Sequence, residues 1–343
     1  MAATVDLSNV TNALSQMFEN DLAYQMNRVQ VLLSLLPKRK GSGKNCAWDT
    51  EMSAAAAAAY ADGADVAGGE YGTDDTVPAT LGWGLYRSPG KVSGLAQAVA
   101  ESSDSPTELR DLMKQKIFGN ASKLGSVLNA ALYTGVGTTG LVAGLTGGGA
   151  LASTGTYATI DRAVFTEWAG NLLANGAVPR DVTFALIDAA LEAVFNKAGG
   201  SIDVMVCPPA IYTKIGQLFG SNRRWTQPMI QTAAGEIKLS AGWQALDYAG
   251  IPILRDKDCP SGRIIGLSTP NLRVEFLPTR KGQDNNGPDD MFMLSDERMK
   301  SSMLPARIEF LGKTGDTIKW VVKSYLQLAV KRPNAFFRLE DLQ

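Results

Sequence analysis

The chain has 343 residues, 45% hydrophobic and 20% charged, with 35 Gly and 15 Pro, which argues against disorder and exceeds the usual single-domain size of roughly 100 to 200 residues. A formal net charge of -1 argues against a protein whose main task is gripping nucleic acid, since phosphate binding draws on a strong excess of Lys and Arg. The chain contains no histidine, so Ser-His-Asp and Cys-His catalysis are excluded, together with the commonest nitrogen metal ligand.

From Leu7 to Leu36 apolar residues recur near the helical period, and Asp6 is placed to cap the start, so a long amphipathic helix or arm is expected. Pro37 ends it. Lys38, Arg39, Lys40 and Lys44 follow around Gly41 and Gly43 and read as a basic hinge. Between Asn45 and Tyr86 there is no Lys or Arg, while Asp49, Glu51, Asp62, Asp65, Glu70, Asp74 and Asp75 lie among Ala and Gly. Strand-like edges at Cys46–Met52 and Leu81–Val92 suggest a two-stranded excursion, which is marginal alone and needs a neighbour.

Ser105-Pro106-Thr107-Glu108 is a capped helix start, and the apolar positions from Leu109 to Ala131 predict a long helix that ends in the glycine-rich stretch Gly135–Gly149. Helices are expected at Ile160–Ala174 and Val182–Lys197, a buried strand at Ile202–Cys207, and a helix from Pro208-Pro209 to Leu218. Short strands follow at Gly250–Leu254, Arg263–Leu267 and Leu272–Leu277. Two longer ones, Ala306–Leu311 and Thr317–Val330, are joined by the hairpin signal at residues 312–316.

Few motifs suggest chemistry. Gly135-Val136-Gly137-Thr138-Thr139-Gly140 fits GxGxxG, and Asp161 lies at a suitable distance, but the run follows a helix instead of a strand and reads as a connecting loop. Gly41-Ser42-Gly43-Lys44 resembles the end of a phosphate-binding loop, yet Lys38 and Asn45 occupy its essential first and last positions. Trp168, Tyr212, Trp225 and Trp243 lack the basic interleaving of a base-stacking platform and read as core or interface. Cys46, Cys207 and Cys259 suggest neither a disulfide framework nor a zinc site, and no spacing marks a catalytic carboxylate pair. No cofactor, no metal and no enzymatic activity are expected. There is no run of 18 apolar residues and no signal-peptide pattern, so neither a membrane partner nor secretion by signal peptide is expected.

The segment order is arm helix, acidic hairpin, long capped helix, glycine-rich loop, α+β middle and strand-rich close. With three stretches, Gly135–Leu145, Tyr248–Leu254 followed by Pro260-Ser261-Gly262, and Tyr325–Ala335, it resembles the HK97-type capsid fold of tailed-bacteriophage major capsid proteins. The resemblance implies an α+β fold with an N-terminal arm (1–44), an extended E-loop (45–100), a P-domain with a spine helix (101–158), an A-domain (159–300) and returning P-domain strands (301–343). It implies a structural subunit that assembles with itself as hexamers and pentamers into an icosahedral head around double-stranded DNA. Portal and separate scaffolding or decoration proteins are the further partners implied, with weak nonspecific contact to DNA. The location implied is the virion, and the host cytoplasm during assembly. An arm helix beginning near Met1 leaves no room for a cleaved scaffold segment, so a separate scaffolding protein or none is expected. An encapsulin-like cellular shell is the nearest rival, and a histidine-free enzyme the rival of another class.

Some members of that family join subunits through a Lys–Asn isopeptide bond assisted by Glu. Here the Asn position falls on Asp316, the Glu position on Lys323, and the excursion has no lysine, Lys91 lying only near its base, so no cross-link is expected. Lys38, Arg39, Lys40 and Lys44 are instead candidates to meet Asp62, Asp65, Glu70, Asp74 and Asp75 of another subunit.

Overall fold

The computed structural model describes residues 30–52, 62, 76–101, 108–137, 140–146, 149–219, 229–232, 235–238, 246–277, 292–293, 303–313 and 315–343. In chain order these form a short helix Val31–Leu35 (α1), strands Lys38–Lys40 (β1), Cys46–Glu51 (β2), Thr76–Leu81 (β3) and Gly84–Ser93 (β4), and helices Gly94–Glu101 (α2) and Glu108–Thr134 (α3). Strands Thr156–Tyr157 (β5), Ile160–Asp161 (β6) and Asn171–Leu173 (β7) precede helix Phe184–Ala198 (α4), strand Val204–Cys207 (β8) and helix Pro209–Leu218 (α5). Next come Met229–Thr232 (β9), Gly235–Lys238 (β10), Leu246–Tyr248 (β11), Ile251–Arg255 (β12), Ile264–Leu267 (β13) and Leu272–Phe276 (β14). The last strands are Phe292–Met293 (β15), Met303–Leu304 (β16), Arg307–Lys313 (β17), Thr317–Val330 (β18) and Phe337–Leu339 (β19).

Two compact units result, one from Met1–Val29, Arg87–Ser126 and Met291–Lys323, the other from Gln30–Tyr86, Val127–Asp290 and Ser324–Gln343. The larger unit holds a six-stranded sheet in the order β11-β12-β8-β13-β19-β7. All four residues of β8 are buried, as a central strand covered on both faces requires. Met205, Ile253, Ile264, Phe337 and Leu339 share a core with Ile187, Ala190 and Val194 of α4 and Ile211 and Ile215 of α5. Local signals set these helices. Thr183 Oγ1 accepts from Leu186 N–H at 3.3 Å at the start of α4, and Gly199 ends it at φ 59°.

In the same unit β1 runs parallel to β14, and β14 runs antiparallel to the C-terminal half of β18. The smaller unit pairs β17 with the N-terminal half of β18, Arg307 opposite Lys323.

Four expectations need correction. Ile160–Ala174 is not a helix but two short strands flanking a single 3-10 turn at Thr166–Trp168. The buried Arg162 guanidinium there donates to the carbonyls of Gly149, Ala150, Thr154 and Trp168, holding an irregular path. Non-local pairing completes it, with β7 parallel to β19 and Asn171 Nδ2 donating to Asn334 O and Phe336 O. Second, β2 pairs with β3, Cys46 opposite Leu81 and Glu51 opposite Thr76, while β4 pairs with β18. Third, Gly94–Glu101, all but its last residue inside the stretch 45–100 expected as an extended E-loop, is helical. Fourth, Lys38–Lys40 is a strand and not a hinge. Of the arm helix, Val31–Leu35 is helical; the remainder to Val29 and the cap at Ser105–Thr107 lie outside the described residues.

Candidate functional site: a basic cleft beside β1

Leu36 turns the chain out of α1 with an extended backbone, ψ 136°, as a residue before proline must. Pro37 O then accepts from Val274 N–H at 2.9 Å, and Gly41 N–H donates to Phe276 O at 2.8 Å, so both ends of β1 are fixed to β14. Gly41 is required here: a Cβ on it would lie 2.5 Å from Trp83 Cη2, and the Trp83 indole donates to Gly43 O at 3.2 Å. The basic segment is held by Trp83 and β14 together.

Register decides which side chains converge. Arg39 lies opposite Glu275, which sits two residues from Arg273 on β14 and so faces the same way. Lys331 N–H donates to Asn271 O just beyond the β14–β18 ladder, where Arg273 pairs with Ala329, so Lys331 continues that face. Leu272, Val274 and Phe276 are buried on the opposite face. The result is a cleft of about 380 Å³ lined by Arg39, Lys40, Asp49, Arg273, Glu275 and Lys331.

Glu275 is buried and doubly engaged. Arg273 Nη2 lies 2.5 Å from Oε1, and the Cys46 thiol donates to Oε2 at 3.0 Å. Burial, then the Glu275 bond, pushes the Cys46 thiol well up, so it stays a protonated donor. Arg273 Nε is buried with no hydrogen-bond partner. No ion pair joins Arg39, Lys40 or Lys331 to a carboxylate among the described residues. Burial, then the like charges of Arg273 and Arg39, holds the Lys331 ammonium below its ordinary value. Four cations therefore face two carboxylates, one already committed.

Of the basic residues expected at a subunit contact, Arg39 and Lys40 line this cleft. Lys38 turns to its own chain, its ammonium donating to Leu33 O at 2.8 Å, and burial lowers it to about 8. Lys44 is exposed and outside the cleft. Asp62 is exposed; Asp65, Glu70, Asp74 and Asp75 lie outside the described residues. Sequence reasoning missed Arg273 and Lys331. The alternation Leu272-Arg273-Val274-Glu275-Phe276 signals their face, but not the strand beside it. Among the described residues no helix is long and apolar enough to cross a membrane, and no group of three or more Cys, Asp or Glu is placed to hold a metal ion.

This fold defines a class, the HK97-like capsid subunit, and solved structures share it. The capsid asymmetric unit of cyanophage A-1(L) matches with a TM-score of 0.73 at 17% identity, over 94% of this chain and 95% of that one. The capsid of a native GTA particle matches at 0.61, 12% identity, over 95% and 94%, and the holo-SrpI encapsulin of Synechococcus elongatus PCC 7942 at 0.57, 12% identity, over 96% and 95%. No curated protein matches by sequence. The family model for the SU10 major capsid protein matches residues 7–343, and the chain belongs to that family.

Proposed function

We propose that the chain closes, as hexamers and pentamers of itself, an icosahedral phage head around double-stranded DNA, held by noncovalent interlocking. Its membership of a major capsid protein family over nearly its whole length carries this reading. The division proposed is arm 1–44, E-loop 45–100, P-domain 101–158 and 301–343, and A-domain 159–300, with shell stability coming from repeated interfaces of roughly 2,000 Å² or more each. Arg39, Lys40 and Lys44 meet the acidic excursion of a neighbour, acting on register and salt sensitivity more than on affinity, while Lys38, expected with them, is turned to Leu33 of its own chain. Portal, scaffolding or decoration proteins and weak DNA contact complete the partners, and assembly takes place in the host cytoplasm. An encapsulin-like compartment is the second reading, favoured by the SrpI likeness, whose TM-score is lower than that of the cyanophage capsid.

Negative-stain microscopy of the purified protein, with nuclease treatment of particles from infected cells, tests the reading. Closed particles protecting DNA are expected. Particles filled with protein and free of DNA favour the compartment, and a discrete soluble monomer overturns both.

A further inference from the structure

Four cations converge on the cleft beside β1 from three parts of the chain: Arg39 and Lys40 from β1, Arg273 from β14, and Lys331 just after β18. Against them stand Asp49 and Glu275, which leaves an excess of two positive charges. Glu275 is committed within its own chain, one oxygen to Arg273 and the other to the Cys46 thiol, so it orients the Arg273 guanidinium and leaves the other three cations without a counter-ion. Among the described residues none of those three has a carboxylate in ion-pair range. Like charges face one another as a result, and burial, then Arg273 and Arg39, lowers the Lys331 ammonium. We propose that the cleft binds a compact dianionic oxyanion, an inorganic phosphate or the terminal phosphate of a monoester.

The site is set before a ligand arrives. Both ends of β1 are fixed to β14, Arg273 is held by Glu275, and Ser42 and Asn45 in the lining add a hydroxyl and an amide as neutral donors. A volume of about 380 Å³ admits a phosphate together with bridging waters. Charge decides which phosphate. A monoester carries close to two negative charges near neutral pH and matches the excess in the cleft. A duplex instead presents a line of singly charged diesters, which must pass the exposed Asp49 and Glu275, where fixed carboxylates repel them. A bound dianion ties β1, β14 and the residue after β18 together, so it stabilises the folded subunit by mass action.

The cleft is lined by one chain, so the inference does not depend on the shell reading. The subunit contact proposed for Arg39 and Lys40 draws on the same two side chains, so binding is measured on the unassembled subunit. In the first measurement inorganic phosphate is titrated calorimetrically at about pH 7.5, with chloride holding ionic strength constant. Saturable one-site binding is expected, weakened at least tenfold by R39Q/K331Q, which leaves the Arg273–Glu275–Cys46 group intact, and tightened severalfold by D49N, a gain that misfolding does not produce. In the second, the urea midpoint is followed against phosphate concentration. It is expected to rise in wild type and to stay level in R39Q/K331Q, whose folding is confirmed by circular dichroism. No saturation in the millimolar range overturns the site, as does equal affinity in wild type, R39Q/K331Q and D49N. An equal rise of the urea midpoint in wild type and R39Q/K331Q also overturns it, since that is the general effect of an excluded salt. Displacement of phosphate by a DNA duplex ending in 5′-hydroxyls, as strongly as by one ending in 5′-phosphates, assigns the cleft to the diester backbone and overturns the dianion.

Discussion

The phenolic hydroxyl of Tyr133 donates to Asp256 Oδ2 at 2.8 Å, joining the last turn of α3 to the turn after β12. Asn129, one helical turn earlier, donates to the same oxygen at 3.1 Å and to Asp258 Oδ2 at 2.7 Å, while its own carbonyl accepts from Leu33 N–H at 3.0 Å. Asp258 N–H closes the group on Asp256 Oδ1 at 2.9 Å. Burial, then the Asp256 charge, pushes the Tyr133 phenol well up, so it remains a donor.

Asp256→Ala removes the acceptor of the buried Tyr133 hydroxyl and of the Asp258 amide, and one of the two carboxylates that Asn129 Nδ2 binds. A loss of about 2 to 4 kcal/mol is expected in urea unfolding of the unassembled subunit, with Tyr133→Phe costing less because one partner remains to each group. Equal stability of Asp256→Ala and wild type would show that the network contributes nothing net.

Arg162 holds four carbonyls with one planar group and, among the described residues, has no carboxylate hydrogen-bonded to it. A lysine has a point ammonium and cannot span that arc, so Arg162→Lys is expected to cost about 2 kcal/mol or more and to increase protease cleavage between residues 149 and 168. Protection equal to wild type would assign the loop's order to Trp168 packing instead.

Lys38 gives a pH signature. Burial takes its ammonium from 10.5 to about 8, so between those values the unfolded chain binds more protons and the folded state gains stability as pH rises. The slope contributed approaches about 1.4 kcal/mol per pH unit at most. Subtracting the profile of Lys38→Met from that of wild type between pH 7.5 and 10.5 should leave this rise; a flat difference places the ammonium in water.

No covalent cross-link is expected in mature shells. Lys323 is bonded to the Glu309 carboxylate, and the Asp316 backbone carbonyl accepts from Gly94 N–H. Denaturing electrophoresis should give monomers, and a heat-stable ladder of dimers and larger species would contradict this.

What could be read in advance follows the range of the forces involved. α4, β8 and α5 were legible within about two residues because Thr183, Gly199 and Pro208-Pro209 punctuate the chain locally. β3 was not, because Pro78 argues against a strand; it is tolerated since both members of a two-stranded pair are edges. Residues 160–174 failed for the opposite reason: their apolar spacing mimics a helix, and β19, their partner, lies more than 160 residues away. The candidate site divides in the same way. Arg39 and Lys40 stand out as a charge run, whereas Glu275 reaches Cys46 across 229 residues and brings Arg273 with it.

The position of β19 bears on when a subunit becomes competent. It is inserted between β13 and β7, and Leu342 N–H donates to Gly262 O while Gln343 N–H donates to Arg180 O. During translation β13 and β7 emerge with an empty lane between them, which only residues 337–339 fill. A ribosome that stalls before Leu339 releases a chain with two open sheet edges, recognisable to chaperones and proteases. Strand order thus leaves the six-stranded sheet incomplete until residues 337–339 are in place.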